Sequence, residues 1–307
     1  MDRLHLMNVF VAVAEEEGFA AGARRLAMSP PAVTRAIAEL EKNLGVKLLS
    51  RTTRYVRATD AGLRYLDSAR RILTDADEAD EMAAGIHGTP RGQLAVTAPV
   101  LFGSMFVTPI IVEYLDTHPD VSVSALFLDR IVNLIEEGLD VSVRIGELPD
   151  STMRAIAVGR VHRVVCASPE YLKGKNKLKS PQDLSPHTRQ RTTQHTIIAA
   201  NPVSPGTNWR FGTGKKSIDV KISPRLTVSN NDAAIQAALQ GFGVTRLMSY
   251  QVAGHLKAGT LKRLLAEFEP APLPIHVLHR EGRQASAKVR TFVDLLVERL
   301  RGDVALK

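Results

Sequence analysis

Apolar residues near the start of the chain recur at helical spacing. Leu6, Met7, Phe10, Val13 and Ala14 form one stripe, and Glu15 to Gly18 end it with charge and a helix breaker. Ala20 to Leu26 predicts a short second helix, with Ala27 and Met28 as a tight turn. Ser29 is an N-cap residue, and Pro30 suits the first helical position, where an N–H would have no helical partner. Val33, Ile37, Leu40 and Leu44 then share one face of a third helix, which Gly45 terminates. Val46 to Leu49 alternates and leads into Ser50, Arg51, Thr52, Thr53, Arg54, Tyr55, Val56 and Arg57, a pattern that predicts a β-hairpin wing.

Thr59 caps a further helix, in which Tyr65, Ala69, Ile72, Ala76, Ala79, Ala83 and Ile86 alternate in steps of four and three. Such a heptad seam calls for a partner helix and predicts a dimer, while Leu63, Leu66 and Leu73 lie on another side, available to hold the wing. Gly85, Gly88, Pro90 and Gly92 break the helix and mark a hinge. Beyond it the pattern alternates. Gln93 to Thr97 is strand-like, Pro99 starts a helix that continues through Val107 to Leu115, Val121 to Leu128 is a strand, Ile131 to Glu137 a helix, and Leu139 to Ile145 a strand. Further strands follow at Arg163 to Ala167, Ile197 to Asn201, Leu226 to Ser229, Val244 to Leu247 and Leu273 to Arg280, with helices from about Asn231 to Gln240 and from Ala287 to Leu300. This order defines an α/β class and predicts parallel strands joined by right-handed crossovers, with ligands bound beyond their carboxyl ends.

Charge sharpens the picture at the N-terminal end. The chain carries a formal net charge of +8, yet residues 19 to 71 hold eleven Lys and Arg against four Asp and Glu, and residues 72 to 86 hold five acids and no base. Positive charge is densest where the third helix turns Pro31, Thr34, Arg35 and Ala38 outward. Small residues there permit entry into a major groove, where arginine bonds O6 and N7 of guanine and threonine meets base edges or the thymine methyl. The arginines and hydroxyls of the wing are phosphate-contact chemistry. The candidate DNA-contacting residues are Ser29, Pro31, Ala32, Thr34, Arg35, Arg51, Thr52, Thr53 and Arg54.

These residues carry a resemblance. Gly18 to Leu26, Ser29 to Ile37, Leu40-Glu41, Leu44 to Leu49, Arg51 to Arg54 and Thr59 to Gly62 together resemble the LysR-type transcriptional regulators, without gaps over the segment. Pro30 stands where that family commonly has glutamine, and Ala20 where a hydroxyl often caps the second helix. The resemblance implies a winged helix-turn-helix at residues 1–58, a linker and dimerisation helix at 59–87, and a two-lobed periplasmic-binding-protein-like effector domain at 88–307. Lobe I then takes about 93–161 and 267–300, and lobe II about 162–266. It also implies double-stranded DNA with an imperfect inverted repeat as partner, assembly as a dimer or tetramer, and a small-molecule effector between the lobes; RNA polymerase is a candidate further partner.

In a two-lobed fold the effector candidates follow the strands: Pro99, Val100 and Leu101, then Leu128, Arg144 and Gly146, then Asn201, Ser229, Asn230 and Arg246. Helix N-termini near Pro99 and Asn231 offer backbone N–H groups, and Arg144 or Arg246 suits an anion, so an anionic effector is a candidate. The first of these helix starts holds Ala98-Pro99, where relatives with carboxylate effectors often place a hydroxyl.

The alternative is a small-molecule binding protein or enzyme with a helical oligomerisation segment, but catalytic signals are poor. Gly214-Lys215 lacks the first glycine and the final hydroxyl of a phosphate loop, no Gly-x-Ser-x-Gly elbow occurs, and His276 and His279 fall on opposite faces of a strand. No cofactor is expected. Cys166, the single cysteine, lies in an apolar run and is expected to be a buried hydrophobe. The N-terminus lacks the apolar core of a signal peptide, and no stretch approaches the roughly 18 unbroken apolar residues of a membrane span, so a cytoplasmic location without membrane contact is expected.

Overall fold

The computed structural model describes residues 2–51, 56–84, 89–130, 132–148, 153–175, 177–186, 195–200, 208–279 and 285–307. The chain divides into two units, Met1–Gly88 and Thr89–Lys307.

In the first unit α1 (Arg3–Glu15), α2 (Phe19–Arg25) and α3 (Pro30–Leu44) enclose a core. Helix α1 buries Leu6, Met7, Val9, Phe10, Val11, Ala12 and Val13, a wider arc than the expected stripe, because α2, α3 and the later helix α4 (Asp60–Ala84) all contact it. Helix α3 buries Val33, Ala36, Ile37 and Leu40 and stops at Gly45, whose φ of +69° is the left-handed cap that a side chain resists. Strands β1 (Leu49–Arg51) and β2 (Val56–Ala58) pair antiparallel as the wing's base.

Helix α4 corrects the seam. Tyr65 and Ala69 turn toward the unit's own core with Leu66 and Leu73, and the Tyr65 ring meets Phe10 edge-on at 5.5 Å. Leu63, expected to hold the wing, is 54% exposed, as is Ile72 at 42%. Helix α1 supplies the apolar surface that the first seam residues cover, a tertiary demand that periodicity alone does not reveal. The end of the seam, Ile86, lies outside the described residues.

The second unit holds two five-stranded sheets. The first has the order β4-β3-β5-β14-β6, from β3 (Gly92–Ala98), β4 (Val121–Phe127), β5 (Val141–Ile145), β6 (Arg154–Val161) and β14 (Leu273–His279). The second has the order β11-β8-β12-β7-β13, from β7 (Arg163–Ala167), β8 (Ile197–Ala200), β11 (Pro224–Val228), β12 (Val244–Met248) and β13 (Lys262–Leu264). A separate hairpin joins β9 (Asn208–Phe211) to β10 (Ile218–Lys221). The chain crosses between sheets at His162 and returns before β14. Parallel pairing holds for β3 with β4 and β5, and for β8 with β11 and β12. The expectation of parallel sheets is otherwise corrected, since β14 runs antiparallel to both β5 and β6, and β7 to both β12 and β13. The returning strand inserts between two strands already laid down, so its direction is set by the crossing rather than by a βαβ unit.

The first sheet's core face packs on a continuous helical stretch made of α5 (Val100–Phe102), a π-turn (Gly103–Val107) and α6 (Thr108–Thr117), and on α10 (Ala287–Gly302). The stretch Val100–Thr117 has the length and apolarity to cross a membrane, but Phe102, Val107, Ile110 and Tyr114 face this core, and the Tyr114 hydroxyl donates to the Lys288 carbonyl of α10 at 2.9 Å. The helix expected over Ile131 to Glu137 is a correction: a turn around residues 134 to 138 stands there, opened by Asn133 Oδ1, which accepts from the Ile135 N–H at 3.1 Å, and closed at Gly138 with φ +63°. Lobe II adds α7 (Pro169–Lys173), α8 (Asn231–Leu239) and α9 (Ser249–Lys257).

Candidate functional site

In the N-terminal unit, the end of α3 that begins at Ser29 is unobstructed. Ser29, Pro31, Arg35 and Ala38 are exposed, and Ala32 and Thr34 are half-buried. Ser29 occupies the N-cap position but makes no side-chain cap bond. The reason is local: Pro31 has no N–H, and the Ala32 N–H already donates to the Ser29 carbonyl at 2.9 Å. The Ser29 side chain is therefore left without a cap bond on an exposed residue. Arg51 lies in β1, and Thr52, Thr53 and Arg54 lie outside the described residues.

Two devices, the first of them missed by patterning, lock the segment before the wing to α3 and to α4. Glu41 is 7% exposed and sits on the inner side of α3. Its Oε1 accepts the N–H groups of Leu48 at 2.9 Å and Leu49 at 3.1 Å, and its Oε2 accepts from Lys47 at 2.6 Å. Burial alone would raise this carboxyl; the Lys47 ammonium and the two backbone donors together outweigh burial and hold it below its ordinary value. The second device is Thr59. Its Oγ1 accepts the Gly62 N–H at 3.0 Å, capping α4 as expected, and donates to the Lys47 carbonyl at 2.8 Å, while its own N–H reaches the Leu48 carbonyl at 2.9 Å. A Cβ on Gly62 would stand 2.0 Å from that Leu48 oxygen.

In the second unit the lobes meet where His162 passes from β6 to β7. Its carbonyl accepts from the Ser249 N–H at 2.8 Å, and its N–H donates to Ser249 Oγ at 3.1 Å, which ties the crossing to the start of α9. Tyr250, next along, packs edge-on against Phe102 at 5.4 Å and Phe106 at 5.7 Å, so a lobe II helix seats an aromatic ring in the lobe I core. Leu101 packs on both cores.

Of the effector candidates, Pro99 is the cap of α5, and the N–H that follows it is already taken. Val100 N donates to Asp129 Oδ1 at 3.1 Å. The first of the N–H groups at this helix start is thus taken from within, by a carboxylate 29 residues further along the chain. At α8, Asn230 does the same, its Oδ1 accepting the Ala233 N–H at 2.8 Å, while Ser229 is exposed. Leu128 packs into a small apolar cluster with Val132, Leu134 and Leu139. Arg144 lies on the face of β5 opposite the main core, with a buried Nη2 that has no hydrogen-bond partner; burial lowers its pKa, against attraction from Glu137. Gly146 follows β5 with φ +119°, and Asn201 lies outside the described residues.

Arg246 is the best-built of the candidates. It stands on β12 opposite Val165 of β7, and Arg163 is opposite Met248, so the two arginines are diagonal neighbours on one face of the sheet. The Arg246 guanidinium lies over the Trp209 ring at 4.9 Å, and Nη1 donates to the Arg210 carbonyl at 3.3 Å. Burial first, and the Arg163 charge second, push Arg246 down to about 9, so it keeps its proton near neutrality. Burial also lowers Arg163. Sequence reading missed Arg163, Trp209 and Asp129, because only strand register and a long-range cap bring them to these places. Cys166 is buried, and burial pushes its thiol up to about 12. Among the described residues no group of three His, Cys, Asp or Glu side chains is placed to hold a metal ion.

A winged helix-turn-helix unit followed by a two-lobed binding domain defines a ligand-responsive DNA-binding regulator. Residues 4–63 match the model of the bacterial regulatory helix-turn-helix protein of the lysR family, and residues 87–301 that of the LysR substrate binding domain. An HTH-type transcriptional repressor of Pseudomonas aeruginosa is 31% identical over 298 residues, 97% of this chain and 92% of its own. The HTH-type transcriptional regulator CrgA of Neisseria meningitidis is 32% identical over 295 residues, 96% of each chain. The solved CrgA structure matches with TM-score 0.60 at 30% identity, covering 97% of this chain and 99% of its own. The full-length structure of the Vibrio cholerae virulence activator AphB shares the fold at TM-score 0.61 and 23% identity, covering 97% and 99%. The chain belongs to the LysR family of bacterial transcriptional regulators. It is a DNA-binding regulator with an effector-binding domain, and not an enzyme.

Proposed function

We propose that this regulator reads an imperfect inverted-repeat operator with paired α3 helices, Arg35 making the base contact and Ser29, Pro31, Ala32 and Thr34 fitting the groove around it. The observation that carries this is the exposed, small-residue start of α3 with an exposed arginine and an N-cap serine whose side chain makes no cap bond. The wing, Arg51 to Arg54, holds the phosphates. Such an operator calls for a dimer or tetramer, and RNA polymerase is the partner through which its occupancy is read. A regulator of the chromosome works in the cytoplasm. The effector is a small anion whose charged end meets Arg246 and Arg163, the lobe II guanidinium pair. Its binding between the lobes alters how protomers pack and so the spacing of the recognition helices.

The test is binding of the purified protein to DNA fragments flanking its own gene across a salt series, beside Arg35→Ala. Salt-sensitive binding to one fragment is expected, with selectivity among fragments falling in the variant by about 1–3 kcal/mol. Binding indifferent to both sequence and Arg35 would overturn the proposal.

A further inference from the structure

A groove of about 540 Å³ lies at the β13 edge of the lobe II sheet, and neither Arg163 nor Arg246 is among its described lining residues. Its size is that of a small-molecule site, roughly 300–1,000 Å³. Strand β13 and the turn after it supply one wall, and the end of α7 with the loop that follows supplies the other. Leu265 has φ +54°, a left-handed conformation that a leucine seldom adopts. Successive residues of a strand point to opposite faces, but this kink turns Leu264 and Leu265 together into one apolar cluster, which Leu172 and Leu178 join from the facing wall. All four leucines line the groove. The loop wall is pinned: Asp183 Oδ2 accepts the N–H groups of Lys179 at 2.8 Å and Ser180 at 2.9 Å, and Lys175 Nζ lies 5.8 Å from the centre of the Tyr171 ring.

The rim is cationic. Lys175 and Lys177 are exposed lining residues, and neither has an ion-pair partner among the described residues. Arg263 is committed elsewhere, its Nε donating to Glu269 at 2.6 Å. Glu267 is the one carboxylate among the described lining residues, so two uncommitted ammonium groups outweigh it. Lysine is a point charge on a flexible stem, which suits a single carboxylate head, and a leucine floor without an aromatic ring among the described lining residues suits a linear aliphatic tail. We propose that this groove is a second ligand site, separate from the effector cleft, that takes medium-chain aliphatic monocarboxylates, their tails on the four leucines and their heads at Lys175 and Lys177.

The experiment is isothermal titration calorimetry of the full-length protein with hexanoate, octanoate and decanoate below their micelle-forming concentrations, and with 1-octanol as the uncharged counterpart. Decanoate is expected to bind with a Kd below about 1 mM, and affinity to rise about twofold for each added methylene, as half-burial of the tail requires. Lys175→Gln with Lys177→Gln removes the two charges from exposed positions, and circular dichroism checks that the variant folds. It should weaken octanoate about fivefold while leaving the weaker binding of 1-octanol unchanged. Leu178→Ala should weaken both ligands. Absence of decanoate binding at millimolar concentration, an affinity that does not change with chain length, or octanoate binding untouched by the lysine substitutions would overturn the proposal. Arg246→Gln tells the groove from the cleft, and octanoate affinity is expected to stay at the wild-type value in it. If Arg246→Gln abolishes octanoate binding and the lysine variant retains it, the carboxylate sits in the effector cleft and the groove is not its site, while the reading of Arg246 stands.

Discussion

Gly62→Ala puts the junction between wing and α4 to a direct test. The added carbon would lie 2.0 Å from the Leu48 carbonyl oxygen and 3.0 Å from its carbon, both backbone atoms. The first distance is more than about 1 Å inside van der Waals contact and the second about 0.5 Å, and no side-chain rotation relieves either. The first turn of α4 must back away, stretching the Thr59 N–H to Leu48 carbonyl bond of 2.9 Å and the Thr59 Oγ1 contacts with Lys47 and Leu48. Two hydrogen bonds weaken at about 1 kcal/mol each. Overpacking adds about 1–3 kcal/mol, and the better helix propensity of alanine returns about 1 kcal/mol. The net expectation is a loss of about 2–4 kcal/mol confined to the first unit. Denaturant titration separates the units, because Trp209 is the only tryptophan and lies in the effector domain. Far-UV circular dichroism should show a component moving to lower denaturant while the Trp209 fluorescence transition stays in place, and operator affinity should fall with it. If both signals and the affinity match the wild type, the Leu48 carbonyl does not constrain α4 and the account of the junction is wrong.

Two further predictions concern titratable groups. Glu41→Gln should destabilise the first unit by about 1–2 kcal/mol at neutral pH, since it removes the charge that Lys47 and two N–H groups stabilise. Because the folded carboxyl is held below its ordinary value of 4.5, this stabilisation is present above that value and is lost as pH falls through the folded one. The gap between wild type and variant in denaturant melts should accordingly close on acidification, and a gap that stays constant down to low pH would contradict the assigned role. Cys166, buried and with its thiol pushed up to about 12, should react with a thiol reagent only after unfolding. Labelling of the native protein at the rate of a free thiol would show that burial is not what governs it.

What the sequence makes legible is what is local. The core stripe of α3, the Pro30 start, the Gly45 stop and the Thr59 cap each depend on residues within a turn or two, and each is found in the structure. The third helix's exposed end follows from the same stripe, so the candidate DNA contacts on α3 could be named from spacing alone. The seam of α4 failed in its first part because Tyr65 and Ala69 obey two periodicities at once, and only the presence of Phe10 decides that they turn inward. Strand direction failed at β14, whose neighbours β5 and β6 lie more than 100 residues earlier in the chain.

The cleft shows the same division at the level of chemistry. A helix start after a strand end is a local signal, and it correctly marks where backbone donors gather at Val100. The first of those donors is taken by one carboxylate, Asp129, at 3.1 Å, brought there by the folding of a separate strand and loop. Likewise Arg246 is visible as a cation near a strand end, but its partner in charge, Arg163, emerges only from the register that places Met248 opposite Arg163 and Val165 opposite Arg246. The surroundings of Arg246 and of Val100 are thus fixed by long-range pairing, while the helix start itself is fixed locally.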